Sequence, residues 1–226
     1  MILPLVVVGQ ELAAVVVVAA TPADALETEE LHSASVVAAA NAMRVLRGVV
    51  GFMFFHLAFW LRREIAGTAW FGLAIGLSGL ATLGANFVGP SLRKRMRVET
   101  MLLLALVSVG IVGIGTAWYG RITGGILLAA VVNAAAAIGR LAFEATVQSG
   151  APDANRGRAF SRFETQNQMA WVAGGLVPVI FAPAGWVGFA VVGVAGLAGA
   201  VMYSRLRGTS IGFPGGRAIN QGRRSR

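Results

Sequence analysis

The chain has 226 residues, of which 56% are hydrophobic and 13% are charged, against about 25% charged in a soluble domain. Together with a mean hydropathy of +0.71, this composition excludes an ordinary water-soluble globular domain and predicts an integral membrane protein. Cysteine is absent, which excludes disulfides, iron–sulfur clusters and cysteine-based zinc sites. The two histidines offer little material for a metal centre or a catalytic triad. We therefore expect no catalytic residue, no metal and no cofactor.

Residues 1–33 are predicted to lie ahead of the membrane domain, as an apolar segment followed by an acidic cytoplasmic linker. Met1–Ala20 is apolar but is interrupted by Gln10 and Glu11. Three interpretations of this segment stay open: a spanning helix, a signal peptide, and a linker or interfacial helix. The spanning helix would hold Glu11 near mid-bilayer, which is costly, and the signal peptide would lack a basic start. The linker or interfacial helix is therefore favoured.

Six apolar runs are long enough to cross a bilayer, for which about 20 residues suffice. They are Val36–Leu61, Ala66–Pro90, Thr100–Tyr119, Ile122–Ala145 and two runs within Thr165–Ser204. As one helix the last stretch would be about 60 Å long, about twice the hydrocarbon thickness, so Pro183–Gly185 is predicted to be a turn. The predicted fold is an all-α polytopic membrane bundle of about six transmembrane helices over residues 34–207. A basic cytoplasmic tail, 208–226, is predicted to be disordered.

The basic residues predict the orientation of the bundle. If the first span enters from the cytoplasm, three basic residues face outward: Arg62, Arg63 and Arg121. Fifteen then face inward: Arg44, Arg47, Arg93, Lys94, Arg95, Arg97, Arg156, Arg158, Arg162, Arg205, Arg207, Arg217, Arg223, Arg224 and Arg226. This bias predicts that both termini are cytoplasmic, in the plasma membrane. The same distribution accounts for the net charge of +9, so no nucleic-acid partner is expected.

Three predicted spans carry residues whose spacing places them on one helix face, and polar groups there need partners or a water-filled cavity. The sets are Ser78, Thr82 and Asn86 on the second span, Asn133, Arg140 and Glu144 on the fourth, and Glu164, Gln168 and Trp171 on the fifth. Each set has a functional interpretation, the lining of a solute cavity, and a structural one. The structural roles are interhelical packing, a surface ion pair, and an interfacial helix start. Glu144 is the candidate for proton coupling, and His56 is predicted to be a packing residue.

Two loops carry a resemblance to a known family. Residues 152–159 (PDANRGRA), with Arg156 and Gly157, look like a Pro-x-x-x-Arg-Gly-x-Ala loop, and a Gly-Pro-type segment follows at 175–178. Residues 89–97 (GPSLRKRMR) stand where the family has a Gly-x-x-x-Asp-Arg-x-Gly-Arg loop, with Arg93 in place of the aspartate and Arg97 at its end. With the six-span layout, residues 36–207 resemble the C-terminal half of a major facilitator superfamily transporter.

The resemblance implies that the first, second, fourth and fifth spans line a cavity, while the third and sixth are peripheral. It further implies a secondary transporter that moves a small solute by alternating access, coupled to protons or another ion. Because such transporters hold substrate between two six-helix halves, three accounts stay open. The chain is a truncated gene product, a half-size protein that pairs with a second half or with its own copy, or a non-transporting scaffold or inactive remnant. The expected partners are a small solute and the lipid bilayer.

Overall fold

A computed structural model describes residues 34–150 and 156–211. Several predictions therefore fall on parts of the chain that the structure does not describe. These parts are residues 1–33, residues 152–155, the side chain of Arg156 and the tail from residue 212. Within the described ranges the chain forms six helices and no strand. They are α1 (Ala34–Leu61), α2 (Gly67–Arg95), α3 (Val98–Tyr119), α4 (Ile122–Gly150), α5 (Arg156–Phe181) and α6 (Gly185–Ile211). The predicted all-α membrane bundle is confirmed.

Five of these helices, all except α5, are long and apolar enough to cross a bilayer. Helix α5 begins at Arg156, well before the predicted start at Thr165, and its first half is polar. From Arg156 onward, the residues before Thr165 belong to the helix rather than to a loop. The predicted turn between the last two helices is correct, since α5 ends at Phe181 and α6 begins at Gly185.

The predicted end of the second span at Pro90 is wrong, because α2 continues to Arg95. A proline inside a helix removes one backbone hydrogen bond, here to the carbonyl of Asn86, and membrane helices tolerate this loss. The connection to α3 is consequently only two residues long, Met96 and Arg97. At the opposite end of the bundle α3 is closed by Gly120, whose φ of 64° is a left-handed conformation that suits glycine.

Helix α1 occupies the middle of the bundle and packs against α4, α5 and α6. Its fully buried side chains include Leu46, Met53 and Leu61. The other extensive pairs are α2 with α4, α3 with α4, and α3 with α6. These helix pairs show an internal symmetry. If α1, α2 and α3 trade places with α4, α5 and α6 respectively, the same set of extensive pairs is obtained. The pair α1–α5 becomes α4–α2, the pair α3–α4 becomes α6–α1, and the pairs α1–α4 and α3–α6 map onto themselves.

Glycines let two helix pairs approach backbone to backbone, as small residues commonly do in membranes. In the α1–α5 pair, a Cβ on Gly174 would collide with the carbonyl oxygen of Gly48. In the α3–α6 pair, a Cβ on Gly113 would lie 2.6 Å from Cα of Gly193, and one on Gly196 would lie 2.6 Å from the nitrogen of Gly110. Both seams therefore exclude any larger residue.

Candidate functional site

Two cavities lie on the side of the bundle formed by α1, α2, α4 and α5. The first, which we call the inner cavity, has a volume of about 430 Å³ and is bounded by all four helices. The second, the basic-end cavity, has a volume of about 500 Å³ and is bounded by α1, α4 and α5. It lies toward the end of the bundle at which α1 and α5 begin and α4 ends. Helices α3 and α6 contribute to neither cavity among the described residues.

The inner cavity brings together four residues that the sequence proposes as cavity lining: Ser78, Thr82, Asn133 and Trp171. Thr82 Oγ1 donates a hydrogen bond to the carbonyl oxygen of Ser78, at 2.9 Å. Asn133 Nδ2 donates to the carbonyl oxygen of Ala129, also at 2.9 Å. Both donors are thus satisfied within their own helices, which leaves the amide oxygen of Asn133 as an acceptor without a partner among the described residues.

Aromatic rings form one wall of the inner cavity. Trp171 on α5 lies against two rings of α1, with centroid distances of 6.4 Å to Phe54 and 5.7 Å to Phe55. Phe54 also makes an edge-to-face contact with Phe71 of α2, at 5.6 Å. Such contacts fix ring orientation as well as burying area. The inner cavity is therefore mainly apolar, with a few polar atoms, as small-molecule sites usually are.

Charged side chains line the basic-end cavity. They are Arg47 of α1, Arg140 and Glu144 of α4, and Glu164 of α5. Arg140 Nε and Glu144 Oε1 form an ion pair at 2.8 Å, with 65% and 34% of the two side chains exposed. Since both groups are partly solvated, this pair contributes less than about 1 kcal/mol to folding. The sequence spacing predicts the pair, and the structure places it beside the cavity.

Gln168 connects the other two charges of this cavity. Arg47 Nη2 donates a hydrogen bond to Gln168 Oε1 at 3.3 Å, and Gln168 Nε2 donates to Glu164 Oε1 at 2.8 Å. One turn earlier on α1, Arg44 donates to Gln166 of α5. These bonds join α1 and α5 at the end of the bundle where both helices begin.

Two predicted cavity-lining residues, Asn86 and Gln168, are not part of either lining, although Gln168 bonds to two residues of the basic-end cavity. Two basic residues of the first predicted loop have surface positions. Asn86 is exposed on α2 and lines neither cavity. Arg93 is exposed in the last turn of α2, and Arg97 pairs with Glu99 at 3.4 Å across the connection to α3. Arg156 and Gly157 form the first turn of α5 rather than a loop. His56 is buried, and its Nε2 lies 3.2 Å from the carbonyl oxygen of Gly185, in agreement with a packing role.

Arg47 and Asn167 line the basic-end cavity, and the sequence does not single out either of them as a site residue. Arg47 belongs to α1 and Asn167 belongs to α5, so their convergence depends on the packing of helices that are distant in the chain. Their only sequence signal is a charge or amide near a helix start. That signal does not distinguish a cavity from a solvated helix end.

These helices and cavities define a multi-pass helical membrane protein. No family model matches the chain, and no solved structure matches it. An uncharacterized protein of Mycobacterium leprae is 28% identical over 183 residues, which is 77% of this chain and 31% of that protein. The chain thus spans about a third (31%) of the length of this relative.

Proposed function

We propose that this chain is a transporter-type bundle, namely one six-helix half of a secondary transporter of the major facilitator type. It moves a small solute by alternating access. The observation that carries the proposal is the internal symmetry of the helix packing: replacing α1–α3 by α4–α6, and the reverse, reproduces every extensive helix pair. Three helices per repeat is an odd number, so the second repeat is inverted relative to the first. Inverted repeats of three helices are the building unit of this class of transporter.

The position of the cavities supports the same proposal. Both lie among α1, α2, α4 and α5, and the described parts of α3 and α6 line neither. For these two cavities, the division into lining and peripheral helices is the one that the family resemblance implies, whereas a more open groove of about 630 Å³ lies on α6 alone. Polar residues from three helices also line the inner cavity, as a site for a small solute requires.

Solute flux in reconstituted vesicles tests the proposal. The chain is purified in detergent, inserted into liposomes, and assayed for uptake of radiolabelled solutes with and without an imposed pH gradient. A parallel sample contains a co-expressed second six-helix half, because the substrate of such transporters lies between two halves. Gradient-dependent flux in either sample supports the proposal. Absence of flux in both samples rejects it in favour of a non-transporting scaffold or remnant.

We further propose that both termini are cytoplasmic and that the membrane is the plasma membrane. The supporting observation is the charge distribution: Arg62, Arg63 and Arg121 are the only basic residues at one end of the described bundle. Reporter fusions at residue 120 and after residue 226 test this orientation. An active cytoplasmic reporter is expected only after residue 226, and the reverse result would contradict the assignment.

A further inference from the structure

We infer that the basic-end cavity binds an apolar amino acid, with the carboxylate of the ligand at Arg47 and its ammonium group at Glu164. This inference rests on the proposed transport function and names the substrate class of that site. It follows from the charges, one buried amide and the apolar wall of the cavity.

The first observation is a cation and an anion that do not neutralise each other. Within the described residues neither Arg47 nor Glu164 has an ion-pair partner within 4 Å, and the cation that attracts Glu164 from a longer distance, Arg140, is itself paired with Glu144. Each is hydrogen-bonded instead to the neutral amide of Gln168, at 3.3 Å and 2.8 Å respectively. The amide of Gln168 carries no net charge, so these two bonds leave the charges of Arg47 and Glu164 without a counter-charge. A ligand that carries both charges offers each residue a partner of opposite charge, which a neutral amide cannot do.

The second observation is Asn167, which lines the same cavity and is only 6% exposed. Its side chain makes no hydrogen bond to any residue that the structure describes. A buried amide without a partner costs about 1–3 kcal/mol, so such groups usually face a ligand or water. An asparagine both donates and accepts, and it can therefore bond to a carboxylate or to an ammonium group.

The third observation is the balance of charge and apolar surface. The charged lining residues are two arginines and two glutamates, so the cavity favours neither a simple anion nor a simple cation. The apolar lining residues include Phe143 and Phe163, which meet edge to face with ring centroids 5.2 Å apart, and Met43. An apolar side chain on the ligand would pack on this surface. The volume of about 500 Å³ is within the range of small-molecule sites.

Three probes that share one branched apolar chain but differ in their charged groups test the inference on the detergent-purified full chain. They are leucine, 4-methylpentanoate, which lacks the amine, and 3-methylbutylamine, which lacks the carboxylate. Equilibrium dialysis with radiolabelled leucine gives its Kd, and competition gives those of the other two. We expect leucine to bind at least about tenfold more tightly than either partial analogue, a difference of about 1.4 kcal/mol.

Two variants assign the charges to residues. Arg47→Met should weaken leucine about tenfold and leave 3-methylbutylamine unchanged. Glu164→Gln should weaken leucine and leave 4-methylpentanoate unchanged. Each variant is judged by the ratio of the Kd values of two probes measured on the same protein sample. An unfolded fraction lowers the binding of both probes equally, so it does not alter this ratio. Arg63→Met, an exposed arginine at the opposite end of the bundle, is the control and should bind leucine normally.

Several outcomes would overturn the inference. They are equal binding of the three probes, the same probe ratios in Arg47→Met and Glu164→Gln as in the parent, or a loss of leucine binding in Arg63→Met. If vesicles transport another solute but the protein does not bind leucine, the substrate class is wrong and the proposed transport function stands. If no solute is transported while leucine binds with the expected selectivity, the transport function fails and the site remains.

Discussion

Replacing Gly174 with alanine tests the close approach of α1 and α5. The added Cβ would collide with the carbonyl oxygen of Gly48, a backbone atom that cannot rotate away. Overpacking costs about 1–3 kcal/mol, and a backbone obstacle places the cost near the upper end. Alanine recovers about 0.5–1 kcal/mol of helix stability relative to glycine. The expected net loss in the free energy of unfolding is about 1–2 kcal/mol, which is about a 5–30-fold change in the unfolding equilibrium.

Titration of the purified protein with SDS in mixed micelles, followed by circular dichroism, measures this loss. The matched control is Gly76→Ala on α2, where nothing lies within 4 Å of the added Cβ. That variant should be as stable as the parent, or more stable by up to about 1 kcal/mol. If Gly174→Ala is no less stable than Gly76→Ala, the backbone contact between α1 and α5 does not exist as described.

Two further substitutions separate structural from functional roles. His56 is 1% exposed, stacks on Phe52 and is bonded to the carbonyl oxygen of Gly185. His56→Phe keeps a ring but loses the bond, so we expect a loss of about 1 kcal/mol in the SDS titration with flux unchanged. A loss of flux at unchanged stability would show instead that His56 is functional. Glu144→Gln removes an exposed ion pair and should change stability by less than about 1 kcal/mol while abolishing stimulation of flux by a pH gradient. Undiminished stimulation would exclude Glu144 as the coupling residue.

The presence of the helices could be predicted from the sequence, whereas several of their ends could not. Uncharged runs of about 20 residues predict membrane helices strongly, because the bilayer leaves few alternatives for the backbone. The errors occur where helices leave the apolar region. Charge does not stop a helix in water, so α2 continues through Arg95, and α5 begins at Arg156 among polar residues.

The site could be predicted in part. Ser78 and Thr82 are correctly placed on one face, since four residues advance a helix by little more than one turn. Asn86 lies on the same side of α2 but about one turn beyond Leu83, the last residue of that helix in the lining of the inner cavity, and it is exposed. The contact of Arg47 with Gln168 could not be predicted, because it depends on α1 and α5 running side by side in the same direction.

The α3–α6 seam has a consequence for how the bundle can deform. Near Gly110 and Gly113 the two helices touch main chain to main chain, at levels about one turn apart. Sliding one helix along the other would push a branched side chain into a space that holds only a hydrogen atom. We therefore expect α3 and α6 to move together as one rigid unit on the side of the bundle away from the two cavities. Bending is left to α2 and α5, each of which packs mainly on a single neighbour.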